Sequence, residues 1–200
     1  MISVVTVHGI QKYKAIDPGY ADPFFDALKR RMFVPIRPVP VRWSRLARLF
    51  IAIVPLIGLP GVHSSAMRSL RRVLGVFRDA PRVLLVGHSM GSRLAFDACL
   101  IDHFRAGLLV TAGSGPDLLA FGERQGFIEW PSRRRPPVPW VHVIHPYDPW
   151  GASFPGPRVV VLPDDGKRGV EAHESYWTNP AFAQAVAAAW IRRYDGDEPV

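Results

Sequence analysis

Between Arg82 and Gly91 the chain reads Arg-Val-Leu-Leu-Val-Gly-His-Ser-Met-Gly, an apolar run that stops in a Gly-x-Ser-x-Gly turn and leads into helical periodicity. Val83 to Val86 has the continuous apolar character of a fully buried strand, and beyond Ser89 the residues Leu94, Ala95, Ala98 and Ile101 share one helical stripe up to Phe104. A motif this short arises by chance, so its context decides. Strand, sharp turn and helix, in that order, make a nucleophile elbow, in which the central serine is thrust toward solvent on a strained backbone. Gly87 and Gly91 supply the small residues that such a turn needs where strand and helix nearly touch.

Two hundred residues, 48% of them hydrophobic, suffice for one substantial core, with about 70% of the unfolded surface buried on folding. There is no internal repeat, and Pro131 to Pro139 is too short a linker to separate domains, so the expectation is a single domain over 1–200 with a cap or insertion at 44–80. Cys99 is the only cysteine and falls within a helical pattern, which makes it a buried thiol rather than a nucleophile. Ile2 to Val7 reads as a first strand and not as an export signal, so a cytoplasmic location is expected. The excess of 25 Lys and Arg over 17 Asp and Glu, a net charge of +8, is spread over Arg42–Arg48, Arg68–Arg78 and Arg133–Arg135. No nucleic-acid fold signature surrounds these runs; they read as solvated surface, and a nucleic-acid partner is not expected.

Five further apolar runs accompany Val83–Val86: Ile2–Val7, Val39–Trp43, Leu108–Thr111, Val141–His145 and Val159–Leu162. Helical patterns fall between them at Pro23–Met32, Ser64–Phe77, Ser89–Phe104, a short stretch near Asp117–Phe121, and Pro180–Tyr194, the last opened by Asn179 as N-cap and Pro180. Strands without strict alternation, separated by helices, predict an α/β fold: a mostly parallel central sheet of six strands with helices on both faces. Leu46 to Val62 is apolar but broken by Pro55 and Pro60, and falls short of the roughly 20 uninterrupted residues of a membrane span. Three readings stand for it: core packing, a mobile cap over the site, or a peripheral membrane contact through 46–62.

A serine hydroxyl is a poor nucleophile near neutral pH, so Ser89 needs a base and a carboxylate that fixes the tautomer of that base. Of seven histidines, His173 stands out in a polar loop, 169–175, between the last strand and the last helix, where it can reach the carboxyl edge of a parallel sheet. Asp148, in the turn Pro146-Tyr147-Asp148-Pro149 after the fifth strand, is the first choice of carboxylate, with Asp164 or Asp165 as the alternative. Oxyanion donors would be the backbone N–H groups of Met90, opening the helix, and Ile10, following His8 and Gly9, with His8 bracing that loop and His88 lying inside the elbow. No His or Cys spacing suits zinc, so neither metal nor organic cofactor is expected.

The chain order Ser89, Asp148, His173 is that of α/β-hydrolases. With Val7-His8-Gly9-Ile10, Gly-His-Ser-Met-Gly, Thr111-Ala112-Gly113-Ser114-Gly115-Pro116, Tyr-Asp-Pro-Trp and His-Glu-Ser-Tyr-Trp-Thr-Asn, the chain resembles compact bacterial α/β-hydrolases of the lipase and esterase type, outside about 42–80 and 117–138. The resemblance implies a minimal version of the fold without its first two strands, and a serine hydrolase cleaving carboxylic esters, or lipid or thioester acyl groups, through an acyl-enzyme. Its substrate would be a small-molecule or lipid ester. The alternative is a non-catalytic protein that uses this scaffold to bind a membrane or macromolecule through its basic face and the 46–62 segment.

Overall fold

The computed structural model describes residues 1–8, 19–41, 60–77, 80–114, 135–153 and 156–193, with backbone only for 60–65. Six strands form one sheet: β1 (Ile2–Val7), β2 (Ile36–Val41), β3 (Val83–His88), β4 (Leu108–Ala112), β5 (Trp140–Ile144) and β6 (Arg158–Val161). Their order is β2-β1-β3-β4-β5-β6 and every neighbouring pair is parallel. The helices are α1 (Asp22–Lys29), α2 (Pro60–Leu74), α3 (Met90–Leu100), α4 (Gly169–Glu174) and α5 (Pro180–Arg192).

Alternate residues of the strands feed two apolar layers. Val4, Leu84, Val86, Leu108 and Val110 pack with Phe24 and Leu28 of α1 and with Phe182, Val186 and Trp190 of α5. On the opposite face Val5, Val7, Leu85 and Leu109 meet Met67, Leu70 and Leu74 of α2 and Leu94 and Phe96 of α3. Each such side chain, fully buried, contributes about 1.5–3 kcal/mol. Coverage on both faces is why the central strands read as unbroken apolar runs.

Most boundary differences have local causes. β2 runs from Ile36 to Val41 rather than Val39 to Trp43, with Pro38 and Pro40 inside it. Prolines are tolerated because β2 pairs only with β1 among the described residues, so the donors they lack face no further strand. Pro60 opens α2 instead of interrupting it, in keeping with proline's fit to a first helical turn. Asn179 caps α5 as expected, its side chain accepting the Ala181 N–H at 2.9 Å ahead of Pro180.

Met67, Leu70 and Leu74 are core residues, so this part of the 44–80 segment packs against the sheet. Residues 44–59, and with them most of the 46–62 segment, lie outside the described residues, as does the short helix expected near Asp117–Phe121. No helix among the described residues is long and apolar enough to cross a membrane.

The chain leaves β1 outward to β2 and returns on the other side of β1 to β3. This reversal makes the carboxyl ends of β1 and β3 the topological switch point, where ligands of open α/β sheets bind. His8 and Ser89 stand at those two ends.

Candidate active site

Ser89 has φ 54° and ψ −128°, a left-handed backbone at a residue with a side chain. Such a conformation costs on the order of 1–3 kcal/mol and persists only where its surroundings enforce it. Here the Ser89 N–H donates to the Ala112 carbonyl at 2.9 Å. Ser92 Oγ accepts the Ala112 N–H and shares its own proton between the Gly87 and Ala112 carbonyls, all at 3.0 Å. The two glycines are sterically compelled. A Cβ on Gly87 would lie 2.5 Å from the Gly91 carbonyl oxygen, and one on Gly91 only 2.0 Å from that of Val7. The elbow is thus clamped between β1 and α3, with Met90 as the first helical residue, whose N–H has no carbonyl partner within the helix.

Asp148 and His173 are brought together. His173 Nδ1 lies 3.0 Å from both Oδ1 and Oδ2 of Asp148. The carboxylate is buried and its remaining capacity is taken by two further donors, the Trp150 N–H on Oδ1 at 2.9 Å and the Tyr176 hydroxyl on Oδ2 at 3.0 Å. Burial alone would raise its pKa. The hydrogen bond and charge of His173, with the Trp150 and Tyr176 donors, outweigh burial and hold it below the usual carboxylate range.

The expectation that His173 sits in a loop is corrected: it lies in α4. Gly169, with φ 57°, turns the chain into this short helix, and buried Ala172 gives it the apolar anchor that its polar sequence conceals.

The His173 imidazole packs against two rings, with centroids 4.7 Å from that of His88 and 4.7 Å from that of Trp150. Since His88 precedes Ser89, this contact joins the elbow to the His173–Asp148 pair. His88 itself is buried, and among the described residues its Nε2 has no hydrogen-bond partner. Burial, reinforced by the neighbouring His173, pushes its pKa down to about 3, so the ring is a neutral wall of the site. Ser89 Oγ makes no side-chain hydrogen bond among the described residues.

Asp164 and Asp165 are engaged elsewhere. Asp164 takes Arg168 at 2.8 Å and the Gly166 N–H at 2.9 Å. Asp165 accepts from His145 Nε2 at 2.9 Å and from Asn179 at 3.2 Å, while His145 Nδ1 accepts the Tyr147 N–H. That second histidine–aspartate pair shapes the turn carrying Asp148, whose own N–H donates to the His145 carbonyl at 3.1 Å. His8 is buried at the end of β1 with its ring 5.0 Å from Tyr20, whose hydroxyl bonds the Thr6 carbonyl at 2.9 Å. Gly9 and Ile10 lie outside the described residues.

Three participants escaped the sequence reading: Trp150, Tyr176 and the His145–Asp165 pair. Tyr-Asp-Pro-Trp and His-Glu-Ser-Tyr-Trp contain the first two, but nothing local in either string says that the loops meet. Among the described residues no group of three or more His, Cys, Asp or Glu could hold a metal ion.

A six-stranded parallel sheet with helices on both faces, carrying a strained serine after its third strand and a hydrogen-bonded aspartate and histidine after its fifth and sixth, has the α/β-hydrolase fold. Among solved structures it is similar to MGS-MChE2, an α/β hydrolase from the metagenome of lagoon sediments of Mar Chica, Morocco, at 14% identity and TM-score 0.60 over 97% of this chain and 92% of that one. A serine hydrolase involved in carbazole degradation, the CarC enzyme, matches at 12% identity and TM-score 0.60 over 94% and 90%. RedJ, a thioesterase of the prodiginine biosynthetic pathway in Streptomyces coelicolor, matches at 14% identity and TM-score 0.54 over 95% and 89%. No family model and no curated protein sequence matches the chain.

Proposed function

We propose that this protein is a serine hydrolase that cleaves carboxylic esters or thioesters through a Ser89–His173–Asp148 triad. The observation that carries the reading is the hydrogen-bonded His173–Asp148 pair packed, through His88, against a serine held at φ 54°. Ser89 Oγ attacks the acyl carbonyl while His173 Nε2 takes its proton, and Asp148 balances the resulting imidazolium through Nδ1. The carbonyl electrons move onto oxygen, which the Met90 N–H receives, such a donor accelerating the step about 10²–10³-fold, and Ile10, outside the described residues, is the proposed source of a second. Collapse expels the alcohol or thiol, protonated by His173, and water then repeats the sequence to release the acid and regenerate Ser89.

Half-exposed Trp150 beside His173 supports an apolar group at the mouth of the site, in keeping with a small-molecule or lipid ester. A fluorophosphonate probe should label Ser89 in the wild type and spare Ser89→Ala, and nitrophenyl esters of graded chain length should be hydrolysed by the former alone. A folded wild-type protein that neither reacts with the probe nor hydrolyses any ester of the series refutes the reading.

A further inference from the structure

We infer that Tyr176 is a positioning residue for this chemistry, tuning Asp148, and through it His173, by a single buried hydroxyl. The inference rests on the triad reading above. Tyr176 is fully buried, three residues after His173, in the short helical turn Tyr176–Thr178 that follows α4. One stretch of chain therefore delivers both the imidazole and the phenol to the carboxylate.

The direction of the hydrogen bonds is forced. Tyr176 Oη accepts the backbone N–H of His145 at 2.7 Å, and the carboxylate 3.0 Å away can only accept, so the single phenolic proton goes to Asp148 Oδ2. Burial and the facing carboxylate raise the phenol's pKa well above its ordinary value, which keeps that proton in place throughout the working range. Trp150 secures Oδ1 in the same manner. The two donors pin the carboxylate so that both oxygens stay 3.0 Å from Nδ1. They also draw off negative charge that would otherwise favour the imidazolium. The tyrosine ring packs 5.1 Å from His88 and 5.5 Å from Phe182, so the hydroxyl has no freedom to turn elsewhere. Among titratable and charged groups, Asp148 and His88 face His173 from the neighbouring elements, Glu171 and Glu174 share its helix, and His145 adjoins Tyr176 through the backbone.

The test measures the rate of fluorophosphonate labelling of Ser89 against pH in four proteins: wild type, Tyr176→Phe, Asp148→Asn and the double variant. Tyr176→Phe is expected to slow labelling roughly 10- to 100-fold, the scale on which misplacement of a reacting group acts. It should also move the acid limb of the profile to higher pH, because the unrelieved carboxylate holds the proton on the imidazole more firmly. In the Asp148→Asn background the same change should add less than about twofold, since its route of action is gone. A purely structural tyrosine would lower the melting temperature and leave both the limb and the additivity unchanged. Should Tyr176→Phe fail to fold, site-specific 3-fluorotyrosine at 176 keeps the shape and strengthens the donor, and the limb should then move to lower pH. Labelled wild type with an unmoved limb and additive variants overturns the role of Tyr176 alone. Unlabelled wild type overturns the triad, and this inference with it.

Discussion

Replacing Asp148 by Asn tests the site through its hydrogen-bond arithmetic. The carboxylate accepts at both oxygens, from Trp150 N–H on Oδ1 and Tyr176 O–H on Oδ2, while Nδ1 of His173 lies 3.0 Å from each. An amide has one oxygen. In either orientation its NH2 meets a donor, Trp150 or Tyr176, and also faces Nδ1, where it can donate and drive the ring proton to Nε2. That is the wrong tautomer for taking a proton from Ser89, and a cost of about 10⁴ in turnover, or about 5.4 kcal/mol, is expected. The opposed donors cost roughly 1–3 kcal/mol of stability, or about 2–12 °C in melting temperature for a domain of this size. Labelling of Ser89 by a fluorophosphonate, followed by intact-protein mass spectrometry, reads the first effect, and a thermal melt the second. A variant with native near-ultraviolet dichroism that labels within about tenfold of wild type would refute the assignment of Asp148 and of the tautomer argument behind it.

Asp165→Asn should leave labelling within a few-fold of wild type, because Asp165 serves His145 and Asn179 rather than His173; a loss as large as that of Asp148→Asn would reverse the assignment. Gly91→Ala places a methyl 2.0 Å from the Val7 carbonyl oxygen and should abolish soluble, labelled protein, so an unchanged melting temperature would count against the clamp described for the elbow. Arg93→Met removes the buried ion pair that Arg93 makes with Asp97 at 2.8 Å and is expected to cost about 3–5 kcal/mol in urea unfolding, with most of that recovered when Asp97→Leu is added. His88 and His142, pushed by burial down to about 3 and about 4, stay neutral in the folded chain while the unfolded chain protonates them from about 6.5 downward. Unfolding free energy should therefore fall with pH below about 6.5, each histidine contributing up to about 1.4 kcal/mol per unit, until its folded pKa is passed. His88→Phe should flatten that slope, and a slope that does not change refutes the burial argument.

The sheet was legible in the sequence because its inner strands are covered on both faces and therefore read as continuous apolar runs, as at Val83–Val86 and Leu108–Thr111. The elbow is legible for a different reason: its five residues form one strand-turn-helix unit in which Gly87 is dictated by the Gly91 carbonyl, although Gly91 itself is dictated by Val7 of β1. β2 was less well bounded, since an edge strand tolerates Pro38 and Pro40, residues that in isolation argue against a strand. α4 carries no helical signal in the sequence because six residues with one buried alanine have too little periodicity to register. Tyr176 and the His145–Asp165 pair were invisible in principle. Their roles depend on β5, the turn after it and the chain following β6 converging in space, which no local spacing encodes.

Cys99 sits at zero exposure among Leu94, Phe96 and Leu109, and burial pushes its thiol up to about 12. A lone sulfhydryl so enclosed is a built-in clock for breathing of the α3 side of the molecule: a disulfide reagent can react only in the moments when that layer parts. Its reaction rate in native buffer would report how often the helix bearing the elbow lifts from the sheet, without any label having to be introduced.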